Sequence, residues 1–216
     1  MSRSYPSTIA EAVEHETVMR RSRFLTLVVP VASTREADDV IAAARRRGRD
    51  ANHHCSALVT GALADQARSS DDGEPSGTAG VPMLEVLRRR DLTDLVVVVT
   101  RWFGGVELGA GGLVRAYSTA TSEALDRATV VRRASRRQVT LDVPHAEAGR
   151  LEHVLRAWVR HHDATLGSVA YGQQASFELW VPAGEVGLLR ADVAAASAGA
   201  LLPVLGGERV VDLPPR

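Results

Sequence analysis

Apolar residues recur along this chain at two spacings, and the points where one gives way to the other mark its elements. Residues 22–31 are rich in β-branched and apolar types and stop at a proline, which predicts a strand. A helix follows: Ser33 and Glu36 form a capping box, Ala37, Val40, Ile41 and Ala44 fall on one face, and Gly48 stands past a basic last turn. Residues 55–60 read as a short strand, and 62–77, dense in Ser, Asp, Gly and Pro, as a loop. A helix over 79–90 turns Met83, Leu84 and Leu87 inward, and the unbroken apolar run 95–99 predicts a central strand covered on both faces. A glycine-rich turn then opens a helix over 111–128 whose buried face carries Leu113, Ala116, Tyr117, Ala120 and Ala124.

The second half repeats the alternation in a simpler order. Val139, Leu141 and Val143 mark a strand, Leu151, Val154, Leu155 and Trp158 a helix stripe, and 168–171 with 175–181 a hairpin. A helix through Val186, Leu189, Val193 and Ala196 ends at Gly199, and either 201–204 or 210–212 supplies the last strand. The order β-α-β-β-α-β is that of a ferredoxin-like split unit. The basic segment 132–137 lacks apolar periodicity and reads as a linker, or as a helix end followed by an edge strand, which divides the chain into domains 1–134 and 135–216. The fold class is therefore α+β in two domains.

Composition removes whole classes of function. No run of about 18 apolar residues exists, and 1–18 has no apolar core for a signal peptide, so the chain reads as cytoplasmic with no membrane partner. A single cysteine, Cys55, excludes an internal disulfide and any multi-cysteine metal site. The 26 basic side chains are all arginine, so Schiff-base chemistry and the P-loop lysine are absent. They balance 26 acidic residues to a formal net charge of zero, so any affinity for nucleic acid must come from local arginine clusters, such as Arg20, Arg21 and Arg23, Arg45 to Arg47, Arg88 to Arg90, and Arg132, Arg133, Arg136 and Arg137.

Three segments could carry chemistry. Thr100-Arg-Trp-Phe-Gly-Gly-Val-Glu-Leu-Gly-Ala-Gly-Gly-Leu-Val-Arg115 runs from a buried-looking strand through glycines into a helix start, a geometry that can hold an anion. It fills only the first two positions of G-x-G-x-x-G, with Val114 at the third, so a dinucleotide site is not expected, and tight packing is an equal account of the glycines. Ser70-Asp-Asp-Gly-Glu-Pro-Ser-Gly-Thr-Ala-Gly80 crowds Asp71, Asp72, Glu74, Ser76 and Thr78 ahead of a helix. Its oxygens could take Mg²⁺, but a solvated turn with Ser76 or Thr78 as N-cap accounts for it more simply, and the serine is out of place for G-x-S-x-G. Asn52-His53-His54-Cys55 sets neighbours on opposite strand faces, which favours hydrogen-bonded histidines and a buried thiol over a catalytic pair. No spaced His/Asp set for a metal and no catalytic residue is assigned.

Ser22-Arg-Phe24, His53-His-Cys55 and the two long glycine-bearing motifs, taken together and in this order, resemble the YigZ/IMPACT family. Trp102 stands where members commonly carry tyrosine, and Glu107 where they carry lysine or an aliphatic residue. The resemblance implies an N-terminal domain similar to the second domain of a small-subunit ribosomal protein and to domain IV of elongation factor G. It also implies a ferredoxin-like C-terminal domain. Its eukaryotic relatives regulate translation, which suggests a binding protein whose partner is RNA or the ribosome, or a translation factor, with no cofactor. Under that reading the site comprises Arg101, Phe103, Gly104, Gly105, Gly111, Gly112 and Arg115, the loop residues Asp72, Glu74, Ser76 and Thr78, and His53 and His54. The alternatives are a small-molecule enzyme cradling phosphate in the glycine loop, with Asp72 or Glu74 as Mg²⁺ ligand or base, and a protein-docking module. The plain structural account makes Phe103 a core residue and Arg115 part of a solvated helix face.

Overall fold

The computed structural model describes residues 5–213. These fall into two compact units, Tyr5–Arg132 and the residues from Arg133 onward; residues 1–4 and 214–216 of the expected domain ranges lie outside the described residues. The first unit runs β1 (Thr8–Ile9), β2 (Val13–Met19), β3 (Ser22–Pro30), α1 (Thr34–Arg47), β4 (His53–Thr60), β5 (Gln66–Ser70), α2 (Gly80–Arg89), β6 (Leu95–Trp102), α3 (Ala110–Leu125) and β7 (Val130–Val131). Five strands form one sheet in the order β2-β3-β6-β4-β5, every neighbouring pair antiparallel, while β1 and β7 make a separate ribbon.

The apolar run that predicts a central strand is β6, buried from Leu95 to Arg101. Alternation sends Leu95, Val97 and Val99 into the core under α2 and α3, with Met83, Leu87, Leu113 and Tyr117. Val96 and Val98 go the other way, to join Leu58, Ala37 and Ala44 beneath α1. The unit is thus three layers deep. The capping pattern at α1 forms with one difference: Ser33 Oγ accepts the Glu36 N–H at 3.3 Å, and the Glu36 carboxylate reaches past the cap to the Ala32 N–H at 2.8 Å.

The second unit runs β8 (Arg133–Val143), α4 (His145–His161), β9 (Thr165–Tyr171), β10 (Ala175–Val181), α5 (Val186–Ala196) and β11 (Val204–Asp212). Its sheet order, β11-β8-β10-β9, is antiparallel throughout, the ferredoxin-like arrangement that the alternation predicts. Val139, Leu141, Phe177 and Leu179 meet Leu151, Leu155, Leu189 and Val193 in a core of its own. No helix among the described residues is long and apolar enough to cross a membrane.

Three expectations need correction. Part of the loop expected over 62–77 is the edge strand β5, which carries almost no buried side chain and so has no apolar alternation to reveal it. The basic segment at 132–137 is no linker, because β8 already begins at Arg133 and lies between β11 and β10. Arg136 is only 6% exposed there; its guanidinium donates to the Asp163 carboxylate at 2.6 Å and to the Asp163 carbonyl at 2.9 Å, which lets a charged side chain sit in a strand. Of the two candidate last strands, 210–212 lies in β11, which already begins at Val204 and leaves 201–203 outside it, with a register shift between Leu205 and Glu208.

Candidate functional site

Strand direction alone collects the motifs at one end of the first unit. Because β6 runs antiparallel to both β3 and β4, its last residues pair with their first ones: Trp102 with Arg23, and Arg101 with His53. The turn between β2 and β3, the C-terminus of α1, the loop leaving β5, and the N-termini of α2 and α3 all lie at this same end.

Beneath it is a buried polar cluster. Arg101 is 5% exposed and Glu74 8%. The Arg101 guanidinium donates to Glu74 Oε1 at 2.6 Å and to Ser22 Oγ at 3.2 Å, while its Nε–H has no partner among the described residues. Tyr117 donates its hydroxyl to the same Glu74 oxygen at 2.7 Å. The Cys55 thiol lies 3.0 Å from the Asp71 carbonyl and 3.3 Å from the Tyr117 hydroxyl, and burial pushes it up to about 12. Tyr117 is raised as well, first by burial and then by Cys55 and Glu74 beside it. Neither group ionises at neutral pH, so this cluster supplies no nucleophile. Its effect is to tie the 71–78 loop down onto the sheet.

The loop's other carboxylates are also engaged. Asp72 accepts from Arg45 at 2.6 Å and from the His54 N–H at 2.6 Å, and its carbonyl holds His53 Nδ1 at 2.9 Å, which places the hydrogen of that ring on Nδ1. His54 faces the other side of the sheet, 3.1 Å from Thr100 Oγ1, and burial first, then Arg45 and His53, lowers it toward the neutral form. Neither Ser76 nor Thr78 caps α2. Thr78 donates to the Pro75 carbonyl, and the cap is Asp71, whose two oxygens accept the N–H groups of Gly77, Ala79 and Gly80 at 2.8, 3.1 and 2.8 Å. A carboxylate reaching back from eight or nine residues upstream satisfies the donors that a local hydroxyl would otherwise take. Among the described residues no group of three or more His, Cys, Asp or Glu is arranged to hold a metal ion.

Burial acts to raise Asp71, yet the N–H groups of Gly77, Gly80 and Ala79 together hold it below the ordinary carboxylate value. A group lowered on folding stabilises the protein above its unfolded value of about 3.9 and loses that contribution as pH falls through the folded value. Asp71→Asn turns the oxygen that accepts the Gly77 N–H into an NH2 group and is expected to cost about 1 kcal/mol at pH 7. The gap from the parent protein, followed by urea unfolding, should narrow once the pH drops below about 4.

The surface above this cluster is of a different character. Phe103, expected in the core under the plain structural account, is 49% exposed. Its N–H donates to the Asn52 side chain at 2.7 Å. Gly109 begins α3 at φ 68° with no side-chain cap and no acidic residue in the first turn. A Cβ at Gly105, Gly109 or Gly111 would meet nothing within 4 Å, whereas at Gly112 it would touch Leu108 at 3.1 Å. The N–H groups of Ala110, Gly111 and Gly112 meet no acceptor among the described residues. Arg115, one turn further on, is exposed and makes no ion pair among the described residues, and the same holds for Arg20, Arg21, Arg46 and Arg49 at this end. The opposite end exposes Glu11, Glu36, Asp39, Asp65 and Asp91 beside Arg35 and Arg88, while Asp50 and Glu107 stand exposed among the arginines here, so each end carries both signs, with carboxylates in excess at the far end and arginines at this one. On the α1 face, Trp102 borders a cavity of about 320 Å³ floored by Leu25, Leu27 and Ala44, where Arg23 stacks 3.7 Å over the indole.

Sequence reasoning places Arg101 and Glu74 on the presented surface, whereas they form its buried support. It reads Tyr117 only as core, and Arg20 and Arg21 only as members of a basic cluster with Arg23. The signal for Tyr117 is faint, a hydroxyl on an otherwise apolar helix stripe, and nothing local announces that Arg20 and Arg21 form a tight turn.

A three-layer α/β unit with a glycine-bearing helix start, followed by a ferredoxin-like unit, defines a class of two-domain α+β proteins, and comparison with known proteins narrows it. Residues 20–125 match the Impact N-terminal domain, and residues 141–200 match a domain of unknown function, DUF1949. The chain belongs to the IMPACT family. It is 42% identical over 174 residues to the IMPACT family member YvyE of Bacillus subtilis, covering 81% of this chain and 78% of that protein. It is 36% identical over 152 residues to the IMPACT family member YigZ of Escherichia coli, covering 69% and 72%. A crystal structure titled as that of a hypothetical protein superposes with a TM-score of 0.61 at 31% identity, covering 94% of this chain and 97% of the other.

Proposed function

We propose that this protein is a non-enzymatic, translation-associated binding protein that contacts RNA or the ribosome through the glycine-bearing end of its first unit. The observation that carries the reading is the open start of α3, with Phe103 exposed before it and arginines without ion-pair partners around it. Backbone N–H groups and guanidiniums suit phosphates, and an exposed ring suits a base. The rival phosphoryl-transfer reading needs a free carboxylate for Mg²⁺, but Asp72 is paired with Arg45 and Glu74 with Arg101. A protein-docking module would use Phe103 and the exposed Val114 instead.

Co-sedimentation with ribosomes and with ribosomal RNA over a salt series tests the reading. Phe103→Ala/Arg115→Ala removes two exposed side chains and should leave unfolding within about 0.5 kcal/mol of the parent. It should weaken sedimentation and flatten the slope of log K against log salt by about 0.7–0.9, since one phosphate is no longer neutralised. Association that ignores salt would favour protein docking, and an absence of parent-protein sedimentation at low salt would overturn the proposal.

A further inference from the structure

The hairpin between β2 and β3 closes through a two-residue turn, with Met19 paired to Ser22 and Val18 to Arg23. The turn residues are Arg20 and Arg21, both at positive φ, 45° and 69°. A turn with two left-handed residues matches the twist of its strands, and Asn-Gly is the pair that fills it without strain. Arginine has a Cβ and no short polar group to bond its own backbone there, so each of the two works against the conformation it holds.

Nothing among the described residues uses these side chains. Both are exposed and neither makes an ion pair there, whereas Arg23, two residues on, stacks on Trp102 and faces Glu16 at 3.7 Å. The turn backbone, by contrast, is held firmly. Gly104 packs so closely that a Cβ there would run into the Arg21 carbonyl, and Ser22 Oγ accepts both the Gly104 N–H and the Arg101 guanidinium at 3.2 Å. Strain that persists because its surroundings fix the backbone, on side chains without an internal role, is a mark of ligand contact.

We infer that the Arg20-Arg21 turn is a phosphate-gripping prong, which takes neighbouring phosphates of an RNA strand beside the open start of α3. Guanidinium forks suit phosphate oxygens, and Gly104 ties the turn to the loop that presents Phe103, so phosphates held at the turn lie near a ring that can stack a base. The inference rests on the RNA reading above and names where that RNA is held.

The test replaces the turn with the pair its geometry favours, Arg20→Asn/Arg21→Gly, in the full chain. Thermal unfolding is read beside the anisotropy of a labelled oligouridylate and of a ribosomal RNA fragment over a salt series. The Tm should rise as the strain is relieved, while affinity at low salt falls about tenfold and the slope of log K against log salt flattens by about 1.4, two phosphates on a single strand. Unchanged affinity and slope would overturn the prong and leave the RNA reading standing. A lower Tm would also overturn it by removing the strain argument, and a parent protein that binds neither RNA would end both readings together.

Discussion

Arg101→Ala is expected to lower the unfolding free energy of the first unit by about 3–5 kcal/mol, the range for leaving a buried charge without its partner. Glu74 remains buried in that variant, with the Tyr117 hydroxyl as its remaining hydrogen-bond donor and His53 Nε2 4.0 Å away. Ser22 Oγ loses one of its two donors at the same time. The loss can be separated from packing by urea unfolding of Arg101→Met/Glu74→Gln, which removes both charges and should recover most of it. If Arg101→Ala instead unfolds within about 1 kcal/mol of the parent, the carboxylate is being hydrated and the cluster is weaker than its distances imply. Impaired binding by an Arg101 variant would in either case report a displaced loop rather than the removal of a guanidinium from phosphate.

The second large effect belongs to Gly104. Gly104→Ala should cost about 3 kcal/mol or more, beyond ordinary overpacking, because its Cβ meets the Arg21 and Ser22 backbone rather than a side chain that can swing aside. Gly105→Ala makes the contrast. Its Cβ would meet open space, and the expected loss of about 1–2 kcal/mol comes from φ 80° alone. Thermal unfolding of the two alanine variants side by side distinguishes close approach from backbone conformation; equal losses would mean that the hairpin yields and is not clamped.

What the sequence makes legible here is what short-range pattern can encode. The run 95–99 announces β6 because a strand covered on both faces has no polar alternate positions. The order of elements from 139 onward yields the ferredoxin-like unit, and the motifs carry the family. The candidate site divides differently. Residue types and glycines pick out one end of the first unit, but Glu74 meets Arg101 across 27 positions and Tyr117 across 43, and no local spacing records such a meeting. An arginine and a glutamate near loops read as surface groups by their type, and only the pairing between them makes burial tolerable. Arg20 and Arg21 stand out in the sequence only as part of a basic cluster, and their turn escapes notice for the opposite reason: their local sequence argues against it, and only the positions of Met19, Ser22 and Gly104 enforce it.

The uneven charge of the two ends of the first unit also bears on how the protein would approach a partner. A body without net charge feels little overall pull toward a polyanion, but one with an excess of arginines at one end and of carboxylates at the other feels a torque in the same field. At physiological salt that torque acts only within about 8 Å of the partner's surface. Neutral at a distance and oriented on arrival, such a chain would diffuse freely among acidic macromolecules and present its glycine-bearing end only in the last few ångströms.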